Sequence, residues 1–199
     1  MATVADVLDR YRRQPSPPEG STSNPFKLVS TLSERAAAGE VGQAWRGRDL
    51  PSDVVDLWAA CREARLFEDV DYGQWGLALL APFASAERTA KEREARPSEF
   101  GPNDIVLGEF LGDQELLVLA PSETGERRVL IALPLDTRPH WFGAAQELGQ
   151  FLERYFDHFG EKYWECSDTG VDNDETGKVV QVSDRNSLKE RPIKVKRQP

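Results

Sequence analysis

The chain has 199 residues, 39% hydrophobic and 30% charged, with a formal net charge of −9. That length holds one ordinary domain with extensions and a modest core. No apolar run reaches the ~20 residues that span a bilayer, and the acidic balance disfavours the phosphate-backbone contacts of direct nucleic-acid binding, which need clustered Lys and Arg.

The charge is unevenly spread. Residues 21–165 carry 15 Lys+Arg against 25 Asp+Glu, a balance of −10, whereas residues 1–20 balance at zero and residues 166–199 at +1. An acidic body attracts a basic protein partner; it also serves plain solubility, and charge alone does not choose between them. Two cysteines, Cys61 and Cys166, lack a CxxC spacing, and the first residues lack a basic-then-apolar leader. Reduced thiols in a cytoplasmic protein are expected.

In chain order, Val4, Val7, Leu8 and Tyr11 share one face of a short helix over residues 3–13. The run Gln14-Pro15-Ser16-Pro17-Pro18-Glu19-Gly20 then breaks it, because consecutive prolines remove donors and favour extended backbone. Residues 1–20 therefore read as a helical arm on a Pro-rich linker, detached from the body. Asn24-Pro25 resembles a helix start, with Leu28, Val29, Leu32 and Ala36 as the buried face and Gly39 as the stop. A second helix is expected from Leu50-Pro51-Ser52-Asp53 to about Ala64. Leu66-Phe67 and the run from Trp75 to Leu80 read as strands around a loop with Asp69, Asp71, Tyr72 and Gly73. Residues 85–96 are rich in Ala, Glu and Arg but poor in large apolar side chains, which predicts an exposed helix with little to bury.

The most organised stretch is 103–159. Three apolar runs, at 105–107, 115–119 and 128–133, are separated by Gly112-Asp113 and by Ser122-Glu123-Thr124-Gly125, a strand–turn–strand–turn–strand pattern. Trp141, Ala145, Leu148, Leu152, Tyr155, Phe156 and Phe159 then recur at helical spacing, so one long helix is expected to cover the sheet. Residues 166–199 read as a polar and basic tail, in which Lys178-Val179-Val180-Gln181-Val182 is the one candidate edge strand.

Chemistry-bearing motifs are scarce. His140 and His158 stand apart with no metal-ligand spacing, and no nucleophile elbow, P-loop or dinucleotide fingerprint occurs. Residues 168–175 do not match a calcium loop. Carboxylates gather at two loops, Glu109, Asp113 and Glu115 around one and Asp69 and Asp71 around the other. Turn carboxylates are ordinarily solvated, though a pair of them can serve acid–base work or hold a divalent cation. Trp45, Trp75, Trp164 and Tyr72 lie at loops or element ends, where aromatic rings either pack or anchor a partner.

Three stretches together resemble the SUKH superfamily, which includes yeast cell-wall regulators and bacterial immunity proteins. They are Leu50-Pro51-Ser52-Asp53-Val54-Val55-Asp56-Leu57-Trp58, the run from Asp104 through Gly108, Gly112 and Asp113 to Leu119, and the strand at 128–133 with the segment that follows it. The resemblance covers about residues 24–160. It departs after the Leu-Pro helix, where Cys61-Arg62-Glu63-Ala64-Arg65 stands in place of an Asn-Gly-Gly-like turn. It implies an α+β domain at 21–165, with helices on a curved, mainly antiparallel sheet, that binds without catalysis and without a cofactor or metal. It also implies neutralisation of a cognate toxin, often a nuclease in such relatives. On that reading the residues of the two acidic loops, Asp69, Asp71, Tyr72, Glu109, Asp113 and Glu115, are expected to face a basic partner. A cytoplasmic adaptor of the same fold, holding another protein through the arm or the tail, is the alternative. A hydrolase built on the carboxylates or His140 is the third.

Overall fold

The computed structural model describes residues 3–22, 24–121, 127–165, 172–173 and 179–180. Seven strands form one open antiparallel sheet in sequence order: β1 (Leu28–Leu32), β2 (Ala64–Asp69), β3 (Leu77–Leu79), β4 (Ile105–Phe110), β5 (Leu116–Pro121), β6 (Arg127–Ala132) and β7 (Phe142–Ala145). Helices α1 (Val4–Arg13), α2 (Glu40–Ala44), α3 (Ser52–Ala60), α4 (Pro82–Ala95) and α5 (Leu148–Asp157) pack on it, giving an α+β class.

The central strands follow their apolar runs. In β5, Leu117 and Leu119 point into a core with α1, α3 and α5, while Leu116, Val118 and Ala120 join Phe100, Leu130 and Trp141 on the other face. Both faces are therefore buried, which is why this strand reads as a continuous apolar run rather than an alternating one.

Five expectations are corrected. The segment after Asn24 is strand β1, not a helix. Its Leu and Val residues suit either spacing, but Val29 and Thr31 are β-branched, and the Asn24 side chain accepts the Phe26 N–H at 2.9 Å to make a turn instead of a helix cap. Ser30 sits at a bulge in the β1–β2 ladder, where its hydroxyl accepts the Phe67 N–H at 2.9 Å. The expected long helix is divided. Trp141 closes one face of the sheet, β7 adds a strand beside β6, and only α5 is helical. The Leu-Pro helix ends at Ala60, and Ala64 already belongs to β2.

The N-terminal arm is not detached. Val7, Leu8 and Tyr11 of α1 are fully buried. The Tyr11 hydroxyl donates to the Leu152 carbonyl at 2.9 Å, and its ring meets Phe156 edge-on at 4.8 Å. Arg10 reaches Asp157 at 2.6 Å, and Pro15 O accepts the Ser30 N–H, so the proline segment lies along β1. At about 1.5–3 kcal/mol per buried large side chain, this stripe outweighs the freedom that the prolines would otherwise leave.

Helix α4 is not merely exposed. β3 is short: it pairs with β4 only at Gly108–Phe110, so Val106, matched to Val118 of β5 on one side, has no strand neighbour on the other. The Thr89 hydroxyl accepts the Val106 N–H at 2.9 Å, and the Ser85 hydroxyl donates to the Val106 carbonyl. Residues four apart on one helix face thus stand in for the missing ladder bonds. Farther along, Arg93 donates to the carbonyls of Gly101 (3.0 Å) and Asp104. Beyond Pro82, the residues that α4 buries are polar (Ser85, Thr89 and Glu92), so the apolar pattern gives little sign of it.

Beyond Glu165, the described strands β8 (Asp172–Asn173) and β9 (Val179–Val180) pair with each other. Lys178, Gln181 and Val182 of the expected edge strand, the turn at 122–125 and Cys166 lie outside the described residues, as does the rest of the tail. Among the described residues no helix is long and apolar enough to cross a membrane.

Candidate functional site: an acidic groove at one end of the sheet

Strand direction places the β2–β3 loop, the β4–β5 turn and the β6–β7 connection at the same end of the sheet, because antiparallel neighbours alternate. The first two touch. Leu111 N–H donates to the Gly76 carbonyl at 2.9 Å. Gly112 has φ +92°, and a Cβ there would lie 2.4 Å from the Gln74 carbonyl oxygen, so the turn can sit against the neighbouring loop only as glycine. The chain leaving α5 completes this end: Gly160, at φ +81°, leaves room for Phe67, whose Cβ is 2.6 Å from where its own would stand. The Trp75 indole N–H donates to the Gly160 carbonyl at 3.1 Å, and Phe26 lies on Trp75 with ring centroids 5.8 Å apart.

The residues expected to face a partner divide into four groups. Asp69 is buried and works inside its own loop: Oδ1 accepts the Asp71 N–H at 3.2 Å, and its carbonyl accepts the Gly73 N–H at 2.7 Å. At 0% exposure it offers no surface at this loop, unlike the partner-facing position expected of it. Asp71 and Tyr72 are exposed, Tyr72 at 76%. Glu109, on the strand rather than the turn, lies 3.2 Å from Arg88 of α4.

Asp113 and Glu115 come together on Lys162, whose ammonium donates to each at 2.7 Å and lies 3.5 Å from Glu165. Burial raises the Glu115 carboxyl above its ordinary value, with the hydrogen bond from Lys162 opposing. Desolvation pulls Lys162 down, but its hydrogen bonds to Asp113 and Glu115 outweigh it and leave the amine above its ordinary value. Lys162 is therefore a charged clamp between the β4–β5 turn and the segment after α5.

Beside that clamp lies a groove of about 1210 Å³. Residues 24–26, Trp75, residues 133–136, His158, residues 161–163 and Glu165 line it together with Asp113 and Glu115. Apolar surface from Phe26, Trp75, Leu133 and Tyr163 makes its lining, while Asp113, Glu115, Asp136, Glu161 and Glu165 face one lysine. Counting carboxylates and ammonium groups alone, the groove carries five of the former against one of the latter, a balance of −4. Asp136 and Glu161 have no cationic partner among the described residues, and Glu161 accepts the Thr22 hydroxyl at 2.8 Å. Leu135 stands on the groove wall 96% exposed.

Reactive groups lie elsewhere or are engaged. Cys61 is buried, and burial pushes its thiol up to about 11. His140 belongs to a 3₁₀ turn, with Nδ1 3.1 Å from the Thr137 hydroxyl, and does not line the groove. His158 Nδ1 is 2.8 Å from the Arg154 carbonyl. Among the described residues no cluster of three or more His, Cys, Asp or Glu is arranged to hold a metal ion. Trp45 and Trp164 are buried, Trp45 stacked on Trp58 at 6.3 Å and Trp164 tilted against Phe110 at 5.2 Å, so of the four candidate anchors Trp75 and Tyr72 keep accessible surface.

Sequence reasoning reached the Asp113–Glu115 turn but missed Phe26, Asp136, Glu161 and Lys162. They share no local signal: Phe26 follows Pro25 and Glu161 follows Gly160, but Asp136 and Lys162 adjoin neither residue type, and nothing in the pattern joins segments more than a hundred residues apart. No protein-family model matches the chain, and no curated protein matches it in sequence.

Proposed function

We propose that this chain is a non-catalytic protein-binding domain that receives a basic partner at the groove end of its sheet. The observation that carries the reading is the groove itself: five carboxylates and one lysine around an apolar lining that includes Trp75 and Phe26. Aromatic surface supplies contact area at low entropic cost. An acidic rim speeds encounter with a basic surface and rejects acidic ones. The SUKH resemblance adds the immunity-type reading, in which a cytoplasmic protein neutralises a cognate toxin; the α+β class supports it without deciding it. The adaptor alternative, as far as it uses the N-terminal arm, is less well supported, because α1 is packed in the core.

The test is a paired capture. Immobilised full-length chain and its Asp136→Lys/Glu161→Lys variant are exposed to the same native-cell extract and to the purified product of the adjacent reading frame. A basic protein retained by the wild type, lost from the variant and eluted by salt is the expected result. Equal retention by both, or retention indifferent to salt, overturns the reading.

A further inference from the structure

The groove needs an occupant with positive charge and some apolar surface, and the chain carries one. Residues 189–197 read Lys-Glu-Arg-Pro-Ile-Lys-Val-Lys-Arg, five cationic side chains against one Glu, with Pro192, Ile193 and Val195 between them. We propose that this segment docks in the acidic groove of its own molecule and competes there with the partner. The inference rests on the groove reading above.

Three observations support it. The first is charge: the balance of −4 in the groove meets +4 on the segment. The second is size and shape. At about 1210 Å³ the groove exceeds the ~300–1,000 Å³ of small-molecule sites, and its lining draws on several separate stretches of the chain, room enough for a peptide segment. The third is where the chain runs. Glu165 is itself a groove residue, and β8 lies against β7, the strand that follows the 133–136 wall. From Val180 to Lys189 there are nine residues, a reach of up to ~30 Å. A tethered ligand of this kind has an effective concentration in the ~mM range, so even weak docking populates it. A partner must then exceed that threshold, which favours strongly basic, well-fitted surfaces over casual ones.

The experiment compares ¹H–¹⁵N spectra of the full chain with those of its Lys194→Glu/Lys196→Glu/Arg197→Glu variant. The Trp75 indole and the Glu161 and Lys162 amides are expected to differ between the two at low salt and to coincide at about 0.5 M salt, where screening is strong. Identical groove signals at low salt overturn the proposal. Differences that grow with protein concentration also overturn it, because they place the tail of a second copy in the groove.

A synthetic peptide of residues 189–199 is then added to the charge-reversed chain. Binding that weakens about tenfold or more with Asp136→Lys/Glu161→Lys is the expected result. Binding of the peptide without any difference between the two chains removes the tail docking and leaves the groove a site for basic segments. No binding of the peptide removes both.

Discussion

On one face of the sheet α1, α3 and α5 bury rings and aliphatic side chains against each other, whereas the opposite face is closed largely by loops and one ion pair. The helical side is a stack of aromatics: Phe151 lies 5.7 Å from Tyr155 and 5.9 Å from Trp164, and Tyr155 meets Phe67 at 6.0 Å. On the loop side, Arg138 grips both oxygens of Asp104, which is 1% exposed, and donates to the Glu99 carbonyl. Asp104 also accepts the Gly101 N–H at 2.8 Å, and Trp141 is flanked by Phe100 at 4.9 Å and by the guanidinium groups of Arg96 and Arg138 at 5.4 and 5.3 Å. The same strands are sealed once by area and once by directional contacts. Area tolerates small shifts; a bidentate pair does not.

That contrast predicts different responses to damage. Phe151→Ala should be the most costly change, about 3–5 kcal/mol in denaturant unfolding, since the ring is fully buried and its aromatic neighbours cannot all close the cavity. Asp104→Ala on the loop face should cost about 2–3 kcal/mol, below the usual range for a broken buried pair because the Arg138 side chain keeps 24% exposure. The double change Asp104→Leu/Arg138→Met should recover much of that loss. If the single and double variants unfold alike, the pair is not what seals this face.

The smallest expected effect is with pH. Hydrogen bonds from the Thr3 side chain and backbone lower the Asp6 carboxyl, and the Arg138 backbone N–H lowers that of Glu99. A carboxyl depressed in the folded state stabilises fully above its unfolded value and loses that contribution as pH falls through the folded one. Acidification below about pH 4 should therefore loosen the α1 cap and the Arg138 turn together. Faster amide exchange at Val7 and His140 before global unfolding would show it. Glu99→Gln should remove the acid response of the loop face alone.

What the sequence disclosed follows the same division. β4, β5 and β6 were legible because uninterrupted apolar runs between Gly-containing turns suit strands buried on both sides, and α3 because Leu50-Pro51-Ser52-Asp53 marks a helix start. β1 and β7 were not, since five- and four-residue strands with helix-compatible spacing become strands only when a neighbour offers its ladder. The burial of Asp69 depends on backbone donors that appear only once the loop closes. At the groove, the Asp113–Lys162 contact joins residues 49 apart in sequence, and Thr22–Glu161 joins residues 139 apart. Such pairings have no local pattern to read.

Ser85 and Thr89 carry a consequence beyond stability. Without them Val106 would present an open donor and acceptor in the middle of the sheet, a template on which a stray extended segment from another molecule could add itself. The two hydroxyls keep that slot filled while remaining small enough for α4 to lie flush. Replacing both with Ala and Val would invite misassembly during synthesis, so the helix guards the chain against its own kind.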